Sequence, residues 1–158
     1  MMSDDTVMRD LFDRWEKVWH EDRYDLVASC VAPAYLRHEA SGDRTVTADS
    51  YAAELAKMKA DRPGVRVAVY DHLFAGNRAW FRFTFRWRDP KTGDAVTQAG
   101  MQSYRTESGK LAETWIVLQP LGSAWPDAVA QERWTSPPPQ SNEACRTNEV
   151  CRTKEAAR

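Results

Sequence analysis

From Met8 to Trp19 the apolar residues Met8, Leu11, Phe12, Trp15, Val18 and Trp19 recur at helical spacing, which draws one apolar stripe along an amphipathic helix. Ser3 or Asp4 stands ahead of the stripe as an N-cap. A shorter helix is predicted over Arg23 to Cys30, where Tyr24, Leu26, Val27 and Cys30 supply apolar positions before Pro33 stops the run. Thr47 is a good N-cap for a third helix, in which Tyr51, Leu55 and Met58 share a face up to Pro63 and Gly64. The period then falls to two. Val65, Val67 and Val69 alternate with Arg66, Ala68 and Tyr70, and "GNR" turns the chain into a second strand. There Phe81, Phe83, Phe85 and Trp87 share one side while Trp80, Arg82, Thr84 and Arg86 share the other. "AVTQAGMQSYRTE" and "LAETWIVLQPLG", joined by "SGK", read as two further strands. Three helices followed by a long antiparallel meander predict an α+β fold with helices on one face of a curved sheet.

After Trp134 the pattern stops. "TSPPPQSNEACRTNEVCRTKEAAR" is rich in proline and polar residues, with a near-repeat of CRTNE and CRTKE, and offers little apolar surface to offset the entropy of ordering. The expectation is one domain over 1–134 and a disordered tail over 135–158.

Charge narrows the partners. Among 158 residues the formal net charge is −1, with acidic and basic residues interspersed, so there is no extended field for a nucleic acid or an anionic membrane surface. No apolar run is long enough to span a bilayer, and the acidic start lacks the features of a signal segment. A cytoplasmic protein is the expectation. Cys30, Cys145 and Cys151 are an odd number without metal-ligand spacing, and His38, Glu39 and Asp43 lie near one another without a spacing that fixes a geometry. Neither a metal nor another cofactor is expected.

The stretch "PAYLRHEASGD" sets the question of chemistry. His38 reads either as a general base or acid, because an imidazole exchanges protons near neutral pH, or as a loop histidine held by the backbone. Asp71 falls in phase with Val65, Val67, Val69 and Leu73 and so interrupts an apolar face. It must be paired, protonated or in a polar pocket, where it would orient His38, unless a bulge turns it outward. His20 and His72 read as surface residues. Trp15, Trp19, Phe81, Phe83, Phe85 and Trp115 suit either a packed core or an aromatic pocket for a flat or cyclic molecule.

The phrases "YLRHEASGD", "DHLFAGNRAWFRFTF" and "GMQSYRTESGKLAETW", in this order over Val7 to Leu121, resemble the SnoaL-like branch of the nuclear transport factor 2-like superfamily. The resemblance implies a cone-shaped fold, three N-terminal helices packed on a strongly curved antiparallel sheet, a pocket in the mouth and dimers paired through the sheet. Trp80, Val96 and Met101 are the expected contacts of such a homodimer. By position, His38 takes the place of the carboxylate base of the ketosteroid-isomerase relatives, the enzyme the general rule on neutral carboxylic acids is drawn from. Gln102 falls where those relatives carry their neutral acid, and an amide there donates a hydrogen bond but transfers no proton. Trp115 is followed by Ile116, Val117, Leu118 and Gln119, without the acid of the polyketide cyclases. The leading expectation is a cofactor-independent isomerase, dehydratase or cyclase acting on an apolar cyclic substrate. His38 is its base, Asp71 the orienter, and Gln102 with Tyr35 or Tyr104 the donors; Trp15, Trp19, Phe81, Phe83 and Trp115 are the walls. The competing class is a ligand-binding or dimerisation module without catalysis. Convergence of His38, Asp71 and Gln102 on one cavity separates the two.

Overall fold

The computed structural model describes residues 2–126 and 128–139. Helix α1, Asp4–Glu21, starts where the Ser3 hydroxyl accepts the Thr6 amide at 3.3 Å, which satisfies one of the donors that a helix start leaves free. Met8, Leu11, Phe12, Trp15 and Val18 are all buried, so the apolar stripe of the sequence is the face that packs. The predicted second helix is a 3₁₀ turn, Tyr24–Leu26, running into a short α2, Val27–Cys30.

The chain departs from expectation at Val31. Strands β1 (Val31–Glu39) and β2 (Gly42–Val46) come next, and only then α3, Ala48–Asp61. Two helices therefore precede the first hairpin and one follows it, instead of three in a row. Thr47 and Ser50 form a capping box at the start of α3. The rest is β3 (Arg66–Ala75), β4 (Arg78–Arg88), β5 (Ala95–Glu107) and β6 (Lys110–Leu118). Gly76, at φ 57°, opens the two-residue turn between β3 and β4, a conformation that glycine adopts without penalty.

The six strands make one curved sheet in the order β2-β1-β6-β5-β4-β3. β1 runs parallel to β6, while the other neighbours are antiparallel. The sheet is thus mixed, not wholly antiparallel. The reason lies far along the chain: the backbone of "PAYLRHEASGD" finds partners on both sides, one of them about 75 residues away in β6, and no local pattern encodes that pairing.

α1 and α3 cover the inner face. Phe12 meets Phe81 at 4.7 Å and Tyr104 at 5.1 Å between ring centroids, Trp19 meets Phe85 at 5.7 Å, and Trp15 stacks on Tyr51. Beyond β6 the chain crosses the outer face, where the Trp125 indole donates to the Phe83 carbonyl at 3.0 Å. It then closes the core with Trp134, whose indole donates to the Val67 carbonyl at 3.0 Å. Thr135 still docks, donating to Asp13 at 2.6 Å and accepting Arg9 at 2.9 Å through its carbonyl. The CRTNE/CRTKE repeat of the expected tail lies outside the described residues.

Candidate functional site

Between α1, α3 and the inner face of the sheet lies a cavity of about 820 Å³. Strand alternation decides which residues reach it. β4 sends in Phe81, Phe83 and Phe85, β5 sends in Gln102 and Tyr104, and β1 sends in Arg37, while α1 adds Phe12, Trp15 and Trp19 and α3 adds Tyr51. The wall is largely apolar and rich in aromatic rings, and polar groups interrupt it.

Those polar groups form a connected chain. Arg37, only 7% exposed, donates through Nε to Glu39 at 2.6 Å and through Nη1 to the Tyr35 hydroxyl at 3.3 Å. Its guanidinium lies 4.7 Å above the Tyr51 ring. Glu39 also accepts from Arg44 at 3.1 Å, and Arg44 continues to Glu54 at 2.7 Å on the rim. Burial pushes the Glu39 carboxyl upward, but Arg44 and Arg37 outweigh it and hold the group below its ordinary range. Burial raises the hydroxyls of Tyr35, Tyr51 and Tyr104 above theirs, so each stays protonated and able to donate.

His38 stands at the rim, on the face of β1 opposite Tyr35 and Arg37. Its Nδ1 meets Asp43 at 2.8 Å and its Nε2 meets Glu113 at 2.8 Å. Two carboxylates on two ring nitrogens call for two N–H donors, which is the imidazolium. Glu113 first, then Asp43, raise its pKa above the ordinary value. The ring stacks on Trp115 at 4.9 Å, and Glu113 is itself held by Arg105 at 2.9 Å. Asp71 is elsewhere. The β3–β4 register shifts between Val69 and Asp71, so Tyr70 is an extra residue and Asp71 moves to the outer face. There it takes Arg82 at 3.0 Å, and Arg82 lies over the rings of Tyr70 and Trp125.

His38 and Asp71 therefore form no couple; Gln102, from the inner face, and His38, from the rim, both border the cavity, and Asp71 does not. The Gln102 amide donates to the Thr114 hydroxyl at 2.9 Å. Trp15, Trp19, Phe81, Phe83 and Tyr104 line the cavity as expected, Trp115 reaches only its rim from the outer face beside His38, and Tyr35 is fully buried. The same bulge brings His72 inward, onto Phe81 and within 2.9 Å of Gln131. His20 is also no surface residue, because its Nε2 accepts the Val67 amide at 3.1 Å. Val96 pairs with Trp87 and so lies in the phase of the inner face, not with Trp80 and Met101.

Sequence reading missed Arg37 and Tyr51 as site residues. The signal for Arg37 was its even spacing from Tyr35, which becomes visible once the stretch is known to be a strand. Tyr51 shows in the sequence only as one of the residues sharing the apolar face of α3.

An α+β chain whose helices and curved sheet enclose an apolar cavity with convergent polar groups is of the small-molecule class. A model of the SnoaL-like domain matches residues 12–114, and the chain belongs to that family, within the nuclear transport factor 2-like superfamily. A SnoaL-like polyketide cyclase from Agrobacterium tumefaciens is similar at 19% identity and TM-score 0.63, over 75% of this chain and 93% of that one. TsrD from Streptomyces laurentii is similar at 17% identity and TM-score 0.62, over 72% and 88%. At such identities the likeness is one of fold. Among curated proteins none matches. Among the described residues no helix is long and apolar enough to cross a membrane.

Proposed function

We propose that this chain binds an apolar cyclic small molecule in the cavity, with Gln102, Tyr104 and Tyr51 supplying hydrogen bonds and the aromatic walls supplying most of the contact. The observation that carries this reading is the 820 Å³ cavity itself, largely apolar and ringed by buried donors. The double carboxylate grip on His38 supports a structural role for that residue, a clip tying β1 to β2 and β6 beside the mouth. Native mass spectrometry of the purified protein is the test. A co-purifying apolar compound, lost in a Phe83→Arg variant that remains folded, is the expected result; an empty protein that binds no hydrophobic probe would refute it.

A second reading keeps catalysis: a cofactor-independent isomerase, dehydratase or cyclase on the same cavity. What favours it is that a neighbour of the same fold is a SnoaL-like polyketide cyclase, together with the place of Gln102, whose amide suits a developing oxyanion. With a ligand in hand, turnover by the wild type that falls steeply in Gln102→Leu supports this reading; binding without turnover leaves the first.

Assembly belongs to the same proposal. On the outer face Leu73, Trp80, Ser103 and Trp115 lie side by side across four strands, with Met101 and Val117 in the next row. Val117 is 71% exposed. A homodimer through this face would bury about 1,200 to 2,000 Å², and sedimentation showing a monomer at micromolar concentration removes it.

A further inference from the structure

We infer that the ligand of this cavity is a planar apolar carboxylate, whose anionic group docks on the buried Arg37 beside Tyr51; this rests on the cavity being a small-molecule site. Arg37 is a guanidinium held almost wholly out of water, yet it lines the cavity. Such a group carries five N–H donors in a rigid fork. Nε is taken by Glu39 and one Nη1 proton by the Tyr35 hydroxyl. No described residue accepts from Nη2. The Tyr51 ring lies 4.7 Å from the Arg37 guanidinium carbon, so one face of the cation is covered and an acceptor approaches it in plane. That is the geometry in which a carboxylate takes two N–H groups at once.

Charge leads to the same ligand. Glu39 is shared between Arg37 and Arg44, so one carboxylate serves two guanidiniums. The next carboxylate, Glu54, is 43% exposed in its side chain, where water screens it from the interior. The buried end of the chain is therefore short of negative charge, and a low-dielectric cation without full pairing favours an incoming anion. The flat rings of Trp15, Phe81 and Phe83 complete the selection by favouring a planar ring system.

The experiment compares two probes of nearly equal shape, 2-naphthoate and 2-naphthamide, by isothermal titration calorimetry at neutral pH and fixed salt. The naphthoate should bind about tenfold tighter or more, the worth of a charge-assisted hydrogen bond over a neutral one. Arg37→Met should erase that preference by weakening the naphthoate about tenfold more than the naphthamide, whose carbonyl loses only a neutral acceptor's hydrogen bond. Arg37→Lys keeps the charge without the fork and should retain only part of the preference. Equal wild-type affinities for the two probes overturn the anion assignment and leave the cavity reading intact. Binding of neither probe removes both. A preference that survives undiminished in Arg37→Met overturns the role given to Arg37. The wild-type comparison decides the ligand class even where the methionine variant fails to fold.

Discussion

Replacing Gly100 by alanine tests how tightly the inner face is built. Gly100 sits on β5 between Phe83 of β4 and Leu118 of β6. An added Cβ would lie 2.7 Å from Leu118 Cδ2, 2.9 Å from Phe83 Cζ and 2.9 Å from the Val117 carbonyl oxygen. The leucine tip is flexible and partly exposed, so it can move aside. The carbonyl oxygen is backbone on the neighbouring strand and yields only if β5 and β6 separate locally. Overpacking of this kind costs about 1 to 3 kcal/mol. Alanine restricts the unfolded chain, which returns about 0.4 to 1 kcal/mol, so the net loss falls within about 0 to 2.6 kcal/mol and is centred between about 1 and 2 kcal/mol. In a chain of this size that lowers Tm by roughly 2 to 8 °C. Gly100 does not adopt a left-handed conformation, so the loss comes from contact and not from backbone strain. Urea denaturation and calorimetry of Gly100→Ala beside Ser103→Ala, on the opposite face of the same strand, give the measurement. The serine variant should stay within about 0.5 kcal/mol of wild type. A Gly100→Ala midpoint equal to or above wild type would show that β6 gives way freely, and the picture of a closely fitted inner face would fall.

The His38 clip has a signed pH dependence. Its raised pKa means the stabilisation is complete below the unfolded value of 6.5 and fades as pH rises through the folded value. Glu113, lowered by His38 first and then Arg105, acts in the opposite sense, losing its contribution as pH falls from its ordinary 4.5. The Tm gap between wild type and His38→Gln should therefore be widest between those two values and narrow towards alkaline pH; a gap constant from about pH 6 to 9 refutes the clip. Deleting residues 140–158 should leave Tm almost unchanged, whereas a chain ending at Arg133 should lose the Trp134 anchor, about 3 to 5 kcal/mol by analogy with large buried aromatics. Equal stability of the two truncations would contradict the docking of Trp134 on β3. Phe81→Leu, which shrinks a ring packed on Phe12 and Tyr104, should weaken binding of an aromatic probe while lowering stability by about 1 kcal/mol or more; unaltered probe affinity in a folded variant would place the ligand elsewhere.

Local chemistry in the sequence determined much of this molecule. The α1 stripe, the Thr47 cap, the Gly76 turn and the alternation of Phe81, Phe83 and Phe85 each follow from nearest-neighbour spacing, and together they carried the α+β class, while the family followed from the likeness of the phrases YLRHEASGD, DHLFAGNRAWFRFTF and GMQSYRTESGKLAETW. Trp15, Trp19, Phe81 and Phe83 line the cavity as expected because a residue's phase on a helix or strand is a local property. Tertiary structure alone decided the rest. The parallel pairing of β1 with β6 is a contact between distant segments, and it turned a short strand-to-loop stretch into a nine-residue strand with Arg37 facing in and His38 facing out. One inserted residue at Tyr70 reversed the phase of everything after it on β3, sending Asp71 to Arg82 and His72 to the core, because strand side chains have period two and a single slip exchanges the faces. Whether a histidine meets a substrate or two carboxylates depends on such partners, and partners are set by the fold and not by the spacing of residues along the chain.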